Sequence, residues 1–310
     1  VISAVSGGSL SKTRSHGERR RRRSTFLFGL GLAIGLAWCL PLVAANADER
    51  DALRVCADPN SLPFSNEARQ GFENRIAELL AEDLGLPLEY VWFPQRRGFV
   101  RQTLRARRDG GGYKCDLIMG VPAGFEMGVT TRPYYRSTYA LVIRSDGDLA
   151  AVETAEDFVA LDPAIRDRLK VGAHSPGPGT LWLTRNGMRN QIVAFPALDA
   201  DPDSYPGQLI DQELAERRLD AAIVWGPVAG YFAKLETERG ASLKVIPLAS
   251  EAGIRFDFAI ASAARFGDGE WRDRVQEFYD RRQVAVEGVL TEFGVPLLEN
   301  KPVQKNEDDD

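Results

Sequence analysis

Residues 53–93, LRVCADPNSLPFSNEARQGFENRIAELLAEDLGLPLEYVWF, decide the fold class. Leu53–Ala57 reads as a short buried strand, and Asp58–Gly71 as a turn-rich loop. Phe72–Leu84 carries apolar residues at Phe72, Ile76, Leu79, Leu80 and Leu84, a helical period that Gly85 ends. Leu88–Phe93 is the next strand. A strand, a helix and a strand in this order form one parallel βαβ unit.

The same alternation continues outward. A second helix is expected over Gly98–Arg108, then a glycine-rich loop over Asp109–Tyr113 and a third strand over Asp116–Gly120. Tyr139–Ile143 is a strand, and the polar Arg144–Asp148 reads as a hinge crossing. Further strands are expected at Lys170–His174, Ile192–Phe195, Ala221–Trp225 and Leu243–Leu248, separated by helices at Ala155–Leu161, Pro163–Leu169, from Thr180, at Leu209–Glu216 and at Ala229–Arg239. Ala249–Gly253 reads as a second crossing, Phe256–Ala261 as a returning strand and Gly269–Glu287 as a closing helix. The expected architecture is α/β: residues 48–144 and 253–299 form one discontinuous lobe, and 145–252 the other.

Both ends of the chain read differently. Arg19–Arg23 is a basic run, an apolar stretch follows over Phe26–Ala45, and Ala45-Asn46-Ala47 offers small residues at the positions a signal peptidase reads. Residues 1–47 are therefore expected to be a secretory signal, removed on export to the periplasm, with no membrane span after it. Residues 300–310 are charged, lack apolar anchors and are expected to be a disordered acidic tail. The whole chain carries a formal charge of −5, and without its basic leader it is more acidic still. Such a balance argues against nucleic acid as a partner. Cys56 and Cys115 both fall in expected strands. Export permits a disulfide between them, while two buried thiols would fit the same pattern.

Candidate site residues lie beside turns. Asp58 and Asn60 open the loop after the first strand. His174 ends a strand before Ser175-Pro176-Gly177-Pro178-Gly179 and either lines a cleft or caps that strand. Gly179 and Thr180 open a helix whose N–H groups suit an anion, although the loop serves equally as a plain turn. No lysine follows the last glycine, so this is not a nucleotide-phosphate loop. Phe64, Tyr134, Tyr135 and Trp225 are the aromatics placed to face a cleft or an interface. Arg97, Arg101, Arg105 and Arg108 would share one helical stripe, either docking an acidic partner or forming a solvated face. A lone histidine makes no metal site, and no nucleophile–base motif stands out, so no catalytic residue, metal or cofactor is assigned. Glu73 is the one carboxylate an enzyme reading would nominate. Its plainer role is favouring a helix N-terminus.

Several longer segments occur in order: Leu53–Ala57, Gly71-Phe72-Glu73-Asn74, YVWFPQRRGFVR at 90–101, Lys114-Cys115-Asp116, Gly120-Val121-Pro122-Ala123-Gly124, TTRPYYRSTY at 130–139 and Val224-Trp225-Gly226-Pro227. Together these resemble the MxaJ/XoxJ family, binding-protein-like accessory proteins of PQQ-dependent methanol dehydrogenases. The resemblance implies a type II periplasmic binding-protein fold and contact with a periplasmic methanol dehydrogenase during its maturation or activation. It also implies departures from the amino-acid receptors of that fold. Those usually place an Arg after the third strand and an Asp after the last strand of the second lobe. Here the first place reads Gly120–Phe125, without Arg, and the second holds Trp225 and Gly226. A buried ligand charge left without a partner is costly, so an amino acid is a poor fit. The alternatives are the substrate-binding subunit of an ABC importer for an unidentified small ligand, and a cleft dehydratase.

Overall fold

A computed structural model describes residues 50–197 and 203–299. The expected leader and acidic tail lie outside these residues. Strand β1 (Leu53–Ala57) is buried along its whole length. After it the chain makes a small hairpin of β2 (Asn60–Ser61) and β3 (Ser65–Asn66), then helix α1 (Phe72–Leu84). The first turn of α1 is closed by Asn74, whose Oδ1 accepts the Gly71 N–H at 3.1 Å. Its last turn is closed by Gly85, at φ 66°, a left-handed conformation that glycine adopts without Cβ strain. Strand β4 (Leu88–Trp92) returns parallel to β1. Here the strand, helix and strand read in 53–93 are found, with the small β2–β3 hairpin added inside the stretch read as a loop.

The next segment departs from expectation. Helix α2 covers only Phe99–Gln102, not Gly98–Arg108. Thr103 is fully buried and donates its hydroxyl to the Phe99 carbonyl at 2.7 Å. Leu104 is buried beside it, and Arg107 bridges Tyr113. Burying these two neighbours turns the chain inward, and the arginines do not form one helical stripe. The excursion ends at Cys115, which forms a disulfide with Cys56, so the thiol alternative falls away. Strand β5 (Leu117–Pro122) then pairs parallel with β1, and β6 (Val129–Thr130) is a short edge piece.

Strand β7 (Tyr135–Arg144) joins the two halves of the sheet. Its residues 135–138 pair antiparallel with β12 (Asp257–Ala264). Its residues 139–144 pair instead with β10 (Ala221–Trp225) and β11 (Leu243–Pro247). The change of partners falls between Thr138 and Tyr139, upstream of the polar stretch expected to be a hinge. Arg144 is still in register with Leu243, its guanidinium held by the Leu214 carbonyl at 3.1 Å and Asp146 at 2.8 Å. Beyond β10, strands β8 (Val171–Ser175) and β9 (Ile192–Pro196) add in parallel. The order across the sheet is β4-β1-β5-β12-β7-β10-β8-β9.

Helices cover both halves. The remaining helices are α3 (Ala155–Val159), α4 (Pro163–Arg166), α5 (Pro178–Arg185), α6 (Gly226–Glu238) and α7 (Gly269–Glu292). Residues Leu209–Leu214 wind as a π-helix where an ordinary helix was expected. Helix α7 runs past the expected Glu287 and bends at Arg282, the one residue in it with non-helical backbone angles. Helices α1 and α7 bury Ile76, Leu80, Trp271 and Phe278 against one face of the β1 half. On that half's other face, Phe99, Val100 and Leu104 pack around the disulfide with Ile118 and Val121. The β10 half has its own two cores, one around Phe158, Leu183 and Phe256, the other around Leu209, Val224 and Phe232.

The disulfide closes a loop between residues 59 positions apart. On chain-entropy grounds such a closure stabilises by about 4 kcal/mol. The variant Cys56→Ala/Cys115→Ala should therefore show a clearly lower urea midpoint in equilibrium unfolding. An unchanged midpoint would mean that the packing of the excursion alone fixes it.

Candidate functional site

The C-terminal ends of β1, β4, β8 and β9 converge on a cleft of about 250 Å³, where parallel α/β sheets commonly bind ligands. Asp58, Asn60, Gln95, Arg96, His174 and Tyr205 line it. Of these the sequence singled out Asp58, Asn60 and His174, and the fold brings those three together from two halves of the sheet. Gln95, Arg96 and Tyr205 went unnoticed. Their only signal was position, in loops directly after expected strands.

Several polar groups of this wall are already engaged, while the side-chain amides of Asn60 and Gln95 carry no hydrogen bond among the described residues. Asp58 follows β1, and its carboxylate accepts the Asn60 N–H at 2.8 Å and also the Gln95 N–H. It ties two loops together. His174 places Nδ1 3.1 Å from the Pro196 carbonyl oxygen, a pairing that requires the proton on Nδ1. The Tyr205 hydroxyl donates to Asp211 at 2.7 Å and accepts from Gln212 at 3.1 Å. Pro59, Pro94, Pro196 and Pro206 add to the lining beside Ser61, Ala197 and Ser204, and a proline has no backbone N–H to offer. The Asp58 carboxylate is taken up by neighbouring N–H groups, and the amides of Asn60 and Gln95 are left to a ligand.

The other candidate residues fall elsewhere. Tyr134 and Tyr135 are buried in the core, Tyr134 stacked on Tyr279 with centroids 4.6 Å apart and Tyr135 edge-on to Phe72. Pro133 suggested a turn at this point, but β7 begins at once, at Tyr135. Phe64 and Trp225 are half-buried and pack against the cores of both halves. Trp225 lies 5.4 Å from the Tyr139 ring and 5.8 Å from that of Phe258. Gly179 is buried where helix α5 presses on the sheet, and a Cβ there would stand 2.8 Å from Ile223. Thr180 donates its hydroxyl to the Gly177 carbonyl at 2.9 Å. Neither residue lines the cleft. Arg97, Arg101, Arg105 and Arg108 are exposed on the β4–β5 excursion.

Glu73 has an unusual setting. It stands in the first turn of α1, with Gly120 directly opposite: a Cβ at that glycine would lie 2.1 Å from Glu73 Oε1. The residue as a whole is only half-buried, yet its carboxyl is desolvated. That desolvation, with the nearby negative Asp58, pushes its pKa from 4.5 up to about 8. Burial and the Glu73 charge together hold the phenols of Tyr134 and Tyr135 well above their ordinary range. Among the described residues, no three His, Cys, Asp or Glu side chains gather as a metal site would need. No helix among them is long and apolar enough to cross a membrane.

A two-part mixed sheet flanked by helices, with a cleft at the strand ends, defines a type II periplasmic binding-protein fold. No family model matches the chain. Its fold is similar to the crystal structure of the periplasmic binding protein XoxJ from Methylobacterium extorquens AM1, at 32% identity and a TM-score of 0.62, covering 80% of this chain and all of that one. MxaJ from Methlophaga aminisulfidivorans MPT is similar at 25% identity and a TM-score of 0.64, again over 80% of this chain and all of that one. The MoxJ protein of Paracoccus denitrificans is 28% identical over 278 residues, 86% of this chain and 95% of its own length. The chain belongs to the MxaJ/XoxJ family.

The raised pKa of Glu73 has a defined consequence for stability. Between pH 4.5 and about 8 the folded state holds a proton that the unfolded state has lost. Stability therefore falls as pH rises through that window, and the loss is complete above it. Glu73→Gln keeps the shape without the charge and should flatten the decline in Tm between about pH 5 and pH 9. A variant whose Tm falls in parallel with the wild type would show that other groups carry the dependence.

Proposed function

We propose that this protein is a periplasmic accessory protein of a PQQ-dependent methanol dehydrogenase, which it binds and assists in maturation or activation. It performs no catalysis and holds no cofactor of its own. Membership of the MxaJ/XoxJ family supports the reading. The observation that carries it is the state of the cleft. The two places from which amino-acid receptors of this fold hold their ligand's charges present Gly120–Phe125, without an arginine, and the half-buried Trp225. Asp58, His174 and Tyr205 are turned to internal hydrogen bonds. The scaffold of a solute receptor is retained while its charged anchors are absent or occupied.

A second reading, the binding subunit of an ABC importer for an unidentified small molecule, is favoured by the cleft itself, which is large enough for a small polar solute.

Co-purification of the exported chain with the methanol dehydrogenase of the same periplasm separates the two. Association together with a higher specific activity of the dehydrogenase is the expected result. Absence of association, with a metabolite that raises Tm by mass action, would move the assignment to transport.

A further inference from the structure

Between positions 96 and 114 the chain places six arginines and Lys114 against a single Asp109, in a protein whose overall charge is −5. Elsewhere most arginines have an acidic partner: Arg54 has Glu89 at 2.7 Å, Arg132 has Asp280 at 2.6 Å, and Arg281 has Asp83 at 2.6 Å. Arg97, Arg101, Arg105, Arg107 and Arg108 are exposed, and among the described residues none of them makes a salt bridge. Of these, Arg108 lies near a carboxylate, that of Asp51. Like charges gathered on one exposed segment repel one another in the free protein, and an opposing acidic surface relieves that repulsion.

The backbone carrying them is nevertheless fixed. Phe99, Val100 and Leu104 are buried beneath it around the Cys56–Cys115 disulfide. Arg265, itself buried, donates to the carbonyls of Leu104 and Cys115 and pairs with Asp116 at 3.2 Å. Its guanidinium also lies 4.1 Å over the Tyr113 ring. The charges therefore stand on a rigid platform, which lowers the ordering entropy that docking must overcome.

Two apolar side chains are presented beside this platform. Phe266, in the turn between β12 and α7, is 60% exposed, and Met127, between β5 and β6, is 43% exposed. Arg105 joins them: its Nη2 donates to the Met127 carbonyl at 2.9 Å, and its guanidinium lies 5.9 Å from the Phe266 ring centroid. Arginine, an aromatic ring and methionine are the residue types enriched at protein interfaces. The basic charge complements an acidic surface, and the mix of arginine, aromatic ring and methionine is that of a protein interface, which favours a protein partner over a lipid surface.

We infer that Arg101, Arg105, Met127 and Phe266 form the docking surface for an acidic face of a protein partner. This rests on the accessory reading above, which makes that partner the dehydrogenase. Calorimetry of the full exported chain with the purified dehydrogenase tests it. Wild-type affinity should fall as salt rises from about 50 to about 300 mM. Arg101→Glu/Arg105→Glu should weaken binding about tenfold or more, and Phe266→Ser several-fold. Reversal of the exposed Arg189, on the other half of the sheet, should leave binding unchanged. Thermal melts of each variant confirm that it is folded. If the patch variants bind as the wild type does, the surface is wrong and the accessory reading survives. If the wild type binds no dehydrogenase, both fall. Binding to phosphatidylglycerol vesicles, or self-association, that is lost in Arg101→Glu/Arg105→Glu would overturn the assignment to a heterologous protein partner.

Discussion

Ser137 and Thr138 sit where β7 leaves one set of partners for another, and both are buried. A strand that changes partners midway exposes backbone and side-chain polar groups to a dry interior, and each one left unpaired costs about 1–3 kcal/mol. Here they are answered. Ser137 donates to the Pro296 carbonyl at 2.6 Å, and Thr138 to the Leu248 carbonyl. Next to them Arg136 pairs with Asp257, whose carboxyl is held below its usual range by the Ser250 hydroxyl and by that arginine. Gly226 permits the close approach, since a Cβ there would meet the Thr138 carbonyl at 2.2 Å. The junction is tight and its two hydroxyls are satisfied, although Arg136 Nε stays buried without a hydrogen-bond partner. Because of it, strand ends from two separately packed half-sheets face one cleft.

The cleft and the arginine platform adjoin at Arg96, which lines the cleft, but they depend on that constraint differently. The cleft lies at the C-terminal ends of the strands, and its walls belong to loops from both halves. The platform hangs between β4 and β5, wholly within one half, and is pinned by the disulfide and Arg265. A change in the relative placing of the two halves would alter the first and leave the second intact. Glu73 belongs with the first half as well. Its raised pKa comes from packing against Gly120 and from Asp58, not from any group across the cleft.

Much of this order was legible in the residues. The segment 53–93 declared its strand, helix and strand because apolar period and terminating glycine agree there. Less legible were features decided by burial. The arginine spacing suited a helix, but Thr103 and Leu104 are drawn into a core that no local pattern announces. Tyr134 and Tyr135 followed a proline and looked like turn residues, yet they stack in the interior. The Cys56–Cys115 pairing depends on Cys56 and Ile118 being neighbours across two parallel strands, a register that sequence spacing does not encode. Asp58, Asn60 and His174 were found because strand ends are where parallel sheets offer sites. Gln95, Arg96 and Tyr205 were missed because loops 110 positions apart along the chain meet there only after folding.

The two surfaces also differ in electrostatic economy. In the cleft, Asp58 and Tyr205 are turned to internal partners, so little of their charge and polarity is left for a small charged solute. On the platform the opposite holds, because the exposed arginines stand on a packed backbone and make no salt bridge among the described residues. Unsatisfied charge at an exposed, fixed site costs little in water but gains strongly when a complementary surface arrives and excludes solvent. A solute receptor concentrates such unsatisfied groups inside its cleft. In this chain they stand outside it, which is the distribution that recognition of a macromolecule calls for.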